Sequence, residues 1–543
     1  MRDFVACPHI SSTLTTDTPE SFTYTPTGKR ATMTDASGTT TYNYDDHDRL
    51  QTKQTPQGTL TYTYDPAGNV ASMQSSNTNG VSVEYTYDSL NRLETVVDNR
   101  LSVGQQTTTY SYDPASNLAT VTYPNGLQST FTYDTLNRLT ALNGYSYQLG
   151  PAGNRQSATE PSGRTVNWSY DGIYRLTNEA ISLDPHAKNG AVSYGLDPVG
   201  NRLSQASTVP GIGSGTFAYD ADDRTLSTEQ YDNNGNTTVS GARTFVYDFE
   251  NRLKSMNNGA VTLVYDGNGN RVAKTVGGAT THYLVDDLNP TGYAQVVEEL
   301  VNGAVQRRYT YGLQRISQTQ FLNSAWTTSF YGYDGFGSVR QLTDPTGAVT
   351  DTYDYDAWGN AVNVTGSTPN VYLYRGEQYD LDLGLYYLRA RYYNPMTGRF
   401  LTRDPEGSGS GNPASLHKYL YVQSDPVNGT DSTGKSPDYT MIIGGFSIPV
   451  SMIVAATGAL VISCAGLYMA SGLSMGMASA MGLEVYGLYS PAPCFLFFHT
   501  RNKSGTVGKP RPAPEMLPPG DCAPWEYQKL VWAVNSACHC CPN

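Results

Sequence analysis

A Tyr-Asp dipeptide recurs along most of this chain, at Tyr44-Asp45, Tyr64-Asp65, Tyr87-Asp88, Tyr112-Asp113, Tyr133-Asp134, Tyr170-Asp171, Tyr219-Asp220, Tyr247-Asp248 and Tyr265-Asp266. The first five are spaced 20, 23, 25 and 21 residues apart. Such spacing calls for one supersecondary unit stacked many times, not for several independent folds. Each dipeptide closes a short alternating run, such as Thr61-Tyr62-Thr63-Tyr64 or Thr109-Tyr110-Ser111-Tyr112. Alternation at period two is a strand signal, and it puts Tyr62 and Tyr64 on one face with Thr61 and Thr63 on the other.

The Asp then opens a turn, in two versions. One reads Asp88-Ser89-Leu90-Asn91-Arg92-Leu93, and the other Asp65-Pro66-Ala67-Gly68-Asn69. Asp and Asn bond to their own backbone, Pro presets φ, and Gly tolerates positive φ, so both versions suit a turn. The Arg of the first version is read structurally, as reaching a neighbouring Asp or carbonyl. Strand, turn, strand is therefore the repeating unit. A lone hairpin is marginal in water, so the hairpins must stack edge to edge and bury their Tyr faces. The expected fold class is all-β.

Composition agrees with this. The chain has 543 residues with 42 Tyr against 14 Phe and 5 Trp, 53 Gly, and only 15% charged residues. It is long enough to bury a sizeable core or to enclose a cavity. The net charge of -13 argues against general nucleic-acid binding, which needs clustered Lys and Arg on phosphate. Of seven Cys only Cys7 precedes residue 460, so hydrogen bonds and packing, not disulfides, must hold the repeats. No signal peptide is visible at the start, and the repeats begin so early that an upstream stretch of a longer product is expected. Asp-rich turns such as Asp232 to Asn236 and Asp266 to Asn270 resemble pieces of calcium loops. They lack the bidentate Glu of an EF-hand, so they are read as turns, and no metal or cofactor is expected.

From about residue 330 the pattern becomes denser: Tyr331-Gly332-Tyr333-Asp334-Gly335-Phe336-Gly337, Tyr353-Asp354-Tyr355-Asp356-Ala357-Trp358-Gly359-Asn360, Tyr374-Arg375-Gly376-Glu377-Gln378-Tyr379-Asp380, and Gly384-Leu385-Tyr386-Tyr387-Leu388-Arg389-Ala390-Arg391-Tyr392-Tyr393-Asn394-Pro395. These residues closely resemble the core of the Rhs and YD-repeat family, which takes in bacterial polymorphic toxins, the C components of insecticidal toxin complexes and the shell of teneurins. The resemblance implies YD-repeat hairpins stacked into a spiral hollow shell over residues 21–330, closed by an Rhs-associated core at 331–434. Residues 1–20 are then an N-terminal segment, and 435–543 a variable C-terminal region.

In the toxin branch the resemblance further implies an effector held inside the shell and released by aspartyl self-cleavage after two Asp-Pro-x-Gly-Leu boxes. Here the boxes are Asp404-Pro405-Glu406-Gly407 and Asp431-Ser432-Thr433-Gly434, which makes Asp404 and Asp431 the candidate catalytic pair and Gly434-Lys435 the cleavage point. Two carboxylates brought together do not both ionise cheaply, so one keeps a proton as acid while the other activates water. Ser408 and Lys435 stand where the boxes have Leu, Ser432 where the second has Pro, and a Gly-rich insertion at Gly407 to Gly411 lengthens the spacer. The competing reading is that each Asp only caps a turn.

The tail changes character. Met441 to Leu483 contains no charged residue and no His, and residues 441–488 are long enough for one tilted membrane span or a pair. A small, helical apolar region is expected there, acting as a membrane-inserting effector, an anchor, or the core of a small soluble domain. Cys522, Cys538, Cys540 and Cys541 invite a zinc reading, but adjacent Cys540 and Cys541 share one tetrahedral ion poorly, and thiols are the simpler reading. His499 has no identifiable Ser, Cys or Asp partner, so no activity is assigned to the tail.

Two functions follow from the resemblance. The first is a secreted, toxin-type shell that delivers its own C-terminal effector, with a secretion-system or cell-surface partner and a cognate immunity protein. The second is a surface protein whose shell binds other cells or carbohydrate, anchored through residues 441–488.

Overall fold

The computed structural model describes residues 18–226, 229–405 and 416–435, and the strands Thr440–Ile443, Phe446–Pro449, Leu483–Gly487 and Leu496–Thr500. The chain divides into two units, Met1–Val454 and Ala455–Asn543. In the second, Leu483–Gly487 pairs antiparallel with Leu496–Thr500.

The first unit is built almost wholly of strands. A 19-stranded sheet runs from Ser21–Tyr24 to Gly215–Thr216, and a 14-stranded sheet from Glu229–Tyr231 to Ala361–Thr365. Successive strands pair antiparallel, as Gly58–Tyr64 does with Leu50–Thr55 and Val70–Ser75. Within Gly58–Tyr64 the side chains of Leu60 and Tyr62 are buried while Thr61 and Thr63 are exposed, which is the expected alternation.

The two turn versions are one turn with different fifth residues. At Asp65 the Oδ1 atom accepts the Asn69 N–H at 2.8 Å and Oδ2 accepts Asn69 Nδ2 at 2.8 Å. At Asp88 the same atoms accept the Arg92 N–H at 3.0 Å and Arg92 Nε at 2.8 Å. The fourth residue is left-handed in both, Gly68 at φ 94 and Asn91 at φ 63. Gly and Asn occupy that place because they carry little penalty for positive φ.

Tyrosine outnumbers phenylalanine for a similar reason. The Tyr64 hydroxyl donates to Leu50 O at 2.7 Å, Tyr87 to Val70 O at 3.1 Å, Tyr112 to Leu93 O at 2.8 Å and Tyr133 to Leu118 O at 3.0 Å. Each ring fills the half-buried face and its hydroxyl fastens the unit to the start of the strand before it. Phe would supply the area without the bond.

The second sheet lies alongside the first. Lys53 Nζ donates to Val285 O at 3.2 Å, Val81 N to Glu298 Oε1 at 2.8 Å, Thr310 Oγ1 to Asp98 Oδ2 at 2.6 Å, and Ala357 N to Glu179 Oε2 at 2.9 Å. The partners in these four bonds are 178 to 232 residues apart, so the strip returns beside itself as a second winding. Glu298 and Glu179 are buried away from bulk solvent, and the N–H groups they accept from the neighbouring winding compensate for it.

A four-stranded sheet follows, made of Gln378–Asp380, Leu385–Leu388, Arg391–Asn394 and Arg399–Phe400. Tyr386 and Tyr393 are buried in it, and Tyr393 stacks on Tyr421 with centroids 4.1 Å apart. Residues 416–435 return across this sheet. Arg155 Nη1 holds them by donating to Val427 O at 3.1 Å, and Arg375 donates to Pro426 O.

The tail corrects one expectation. Where the apolar run is described it is strand, not helix: Thr440–Ile443 pairs antiparallel with Phe446–Pro449. Ile442, Ile443 and Ile448 are β-branched, and Pro449 lacks the N–H a helix interior needs. Among the described residues no helix is long and apolar enough to cross a membrane. Most of 441–488, and the cysteines from Cys522 onward, lie outside the described residues.

Candidate functional site

Leu385–Leu388 and Arg391–Asn394 form a hairpin whose two-residue turn is Arg389-Ala390. This turn faces the returning residues 432–434. Ala390 N donates to Thr433 O at 3.1 Å, Arg389 Nη1 to Ser432 O, and Arg391 Nε to Gly434 O.

Arg391 is the centre of the site. Its guanidinium is buried and lies over the Phe400 ring, 3.6 Å from the centroid. Nη1 donates to Lys418 O at 3.3 Å. Nη2 meets Asp404 Oδ2 at 3.3 Å and Asp431 Oδ2 at 3.4 Å. The two aspartates singled out in the sequence are thus brought together on one nitrogen of one arginine. Asp431 is 1% exposed, and Asp404 retains 19% of its side-chain surface. An arginine does not deprotonate in a protein. The trio therefore carries one net negative charge with both carboxylates ionised and is neutral with one proton added.

Asp431 also caps its own turn. Its Oδ1 accepts Thr433 Oγ1 at 3.2 Å and the Lys435 N–H at 3.1 Å. The turn-capping role and the meeting with Asp404 therefore coexist in one side chain. Together these contacts bracket the Gly434-Lys435 peptide bond, with Arg391 on its carbonyl oxygen and Asp431 on its amide nitrogen. Gly434 sits at φ 68, and a Cβ there would lie 2.2 Å from Leu388 O. Only glycine brings the carbonyl this close to the hairpin.

Such an arrangement can polarise a carbonyl through the guanidinium, deliver a proton to the amide nitrogen from one carboxyl, and draw a proton from water with the other. No metal is needed for any of these steps. The Asp-rich turns use their carboxylates on themselves, since Asp232 Oδ1 and Oδ2 accept Asn236 N and Nδ2, and Asp266 Oδ1 accepts the N–H groups of Asn268 and Asn270. Among the described residues no group of three or more His, Cys, Asp and Glu could hold a metal ion.

Arg391, Arg389 and Glu377 stand within the dense motif but were not distinguishable there as site residues. Glu377 accepts Arg389 Nη1 at 3.1 Å on both carboxylate oxygens. The one signal that could have found the two arginines is Arg389 inside the turn of a hairpin, where Gly or Asn is the usual occupant, with Arg391 directly after that turn.

The teneurin YD-shell family model matches residues 20–144. The tRNA nuclease WapA of Bacillus subtilis (strain 168) is 33% identical over 269 residues, covering 46% of this chain and 11% of that protein. Double-stranded DNA deaminase toxin A of Burkholderia cenocepacia (strain H111) is 26% identical over 360 residues, covering 56% of this chain and 25% of that protein. The crystal structure of TcdB2-TccC3-Cdc42 aligns at TM-score 0.37 and 15% identity over 77% of this chain and 28% of that one. This chain thus spans about a tenth of the length of WapA.

Proposed function

We propose that this chain, which belongs to the Rhs and YD-repeat family, is a toxin-type shell that cuts itself between Gly434 and Lys435 and so releases the region that follows. The observation that carries the reading is the meeting of Asp404 and Asp431 on Arg391, in the same hydrogen-bond network as the Gly434-Lys435 peptide.

In the proposed step Asp404, the more exposed carboxylate, takes a proton from water as the water oxygen bonds to the Gly434 carbonyl carbon. Arg391 Nε stabilises the negative charge that develops on the Gly434 oxygen. Protonated Asp431 then gives its proton to the Lys435 nitrogen as the C–N bond breaks. One proton enters the pair from water and one leaves to the new amine, so the pair is restored by exchange between its members.

The proposed organisation is an N-terminal segment at 1–20, a YD-repeat shell at 21–330, a core at 331–434 that closes it, and a releasable region at 435–543. That region is proposed to be an effector enclosed by its own shell, with a cognate immunity protein and a secreted or cell-surface location. The relatives named as a nuclease and a deaminase toxin support an effector in general kind, and no activity is carried from them to residues 435–543. The test is to express the whole chain and sequence the N-terminus of any C-terminal fragment. A fragment beginning at Lys435, absent in Asp431→Asn and Asp404→Asn, supports the reading, and a wild-type chain that stays intact overturns it.

A further inference from the structure

A non-glycine residue is costly to hold at positive φ, and a two-residue hairpin turn favours Gly or Asn. Arg389 nevertheless occupies the turn at φ 56. Its guanidinium is fixed on several sides. Nη1 meets both Glu377 oxygens at 3.1 Å, Nε donates to Ala294 O at 3.1 Å, and the group lies over the Tyr293 ring, 5.4 Å from the centroid. Burial by itself would lower the Arg389 guanidinium, and the charge and hydrogen bonds of Glu377 together with the nearby Tyr387 and Tyr311 hold the group above its usual value. A rigid, charged donor results, and its Nη1 is aimed at Ser432 O.

Resting on the self-cleavage reading above, we propose that Arg389, locked by Glu377, is the positioning residue that sets the register of residues 432–434 against Arg391. Arg389 grips Ser432 O, the Ala390 N–H grips Thr433 O, and Arg391 grips Gly434 O, so three successive residues, the two of the turn and the first of the next strand, read three successive carbonyls. A slip of one residue moves the segment by about 3.3 Å, which carries the Lys435 amide away from Asp431 and the Gly434 carbonyl away from Arg391. Arg389 touches neither reacting atom. It acts by fixing where they lie.

The experiment uses the full chain. Self-cleavage is followed over time and across pH in wild type, Arg389→Ala, Arg389→Lys and Glu377→Gln. Arg389→Ala is expected to slow cleavage by about tenfold or more, with Arg389→Lys between it and wild type and Glu377→Gln also slowed, while the pH profile keeps its shape because the aspartates are untouched. In the uncleaved Asp404→Asn background, adding Arg389→Ala is expected to speed hydrogen exchange at the Lys435 amide by about tenfold. An unchanged rate together with unchanged exchange overturns the clamp, as does a displaced pH profile, which would mean that Arg389 acts on the titrating groups. A wild-type chain that stays intact overturns the cleavage reading instead, and faster exchange in the double variant then still supports the clamp.

Discussion

Tyr62 donates its hydroxyl to Asp286 Oδ1 at 2.8 Å across the seam between the two windings, 224 residues along the chain. Asp286 Oδ1 also accepts the Leu288 N–H at 2.9 Å. Burial pushes the Asp286 carboxyl up to about 6 in spite of these donors.

This shift predicts a pH dependence of stability. In the unfolded chain the same carboxyl releases its proton near pH 4, so the folded state binds the proton more tightly and gains stability that is complete below about pH 4. The gain is lost as pH rises through about 6. Asp286→Asn, which mimics the protonated form, should therefore lose less stability than wild type between those limits, by on the order of 3 kcal/mol. Denaturant titrations at a series of pH values check this, and parallel curves for the two proteins would refute it.

Removing one hydroxyl from the repeat tests the staple. Tyr64→Phe keeps the ring but deletes the bond to Leu50 O, and it should cost about 1 kcal/mol in denaturant unfolding. A stability equal to wild type would mean that the hydroxyl only occupies space.

Arg391 is predicted to bear on folding as well as on chemistry. Arg391→Gln leaves the one negative charge of the Asp404 and Asp431 pair without its guanidinium and should lower stability by roughly 3 kcal/mol, besides abolishing cleavage. Adding Asp404→Asn should recover part of that loss, because the ionised member of the pair is then gone. A double variant less stable than the single one would count against charge pairing as the cause.

Gly434→Ala isolates close approach from charge. The added Cβ cannot coexist with Leu388 O, so the carbonyl must move away from Arg391. The variant should remain folded and uncleaved, with melting unchanged within a few degrees as a local shift implies. Cleavage at the wild-type rate would show that the observed approach is not required.

Much of the fold was legible in the sequence. Thr61 to Tyr64 alternate, and Tyr62 is buried where Thr61 and Thr63 are exposed. Arg92 was read as reaching a neighbouring Asp, and it meets Asp88 at 2.6 Å. These relations span a few residues and depend only on local backbone geometry. The seam between windings was not legible, because which residue faces Glu298 depends on how many strands fill one winding, and no local pattern encodes that number. The site was half legible. Asp404 and Asp431 could be named from their boxes, but Arg391, which draws them together, lies 40 residues before Asp431 and announces itself only once the returning segment is in place.

The turn at Leu388 to Arg391 holds residues 432–434 entirely through their carbonyl oxygens. Every residue type carries that oxygen in the same position, so the grip is blind to side chains except at Gly434, where space is short. Among the described residues nothing downstream of Lys435 takes part in it. A different polypeptide joined after that residue would leave every one of these bonds to residues 432–434 available.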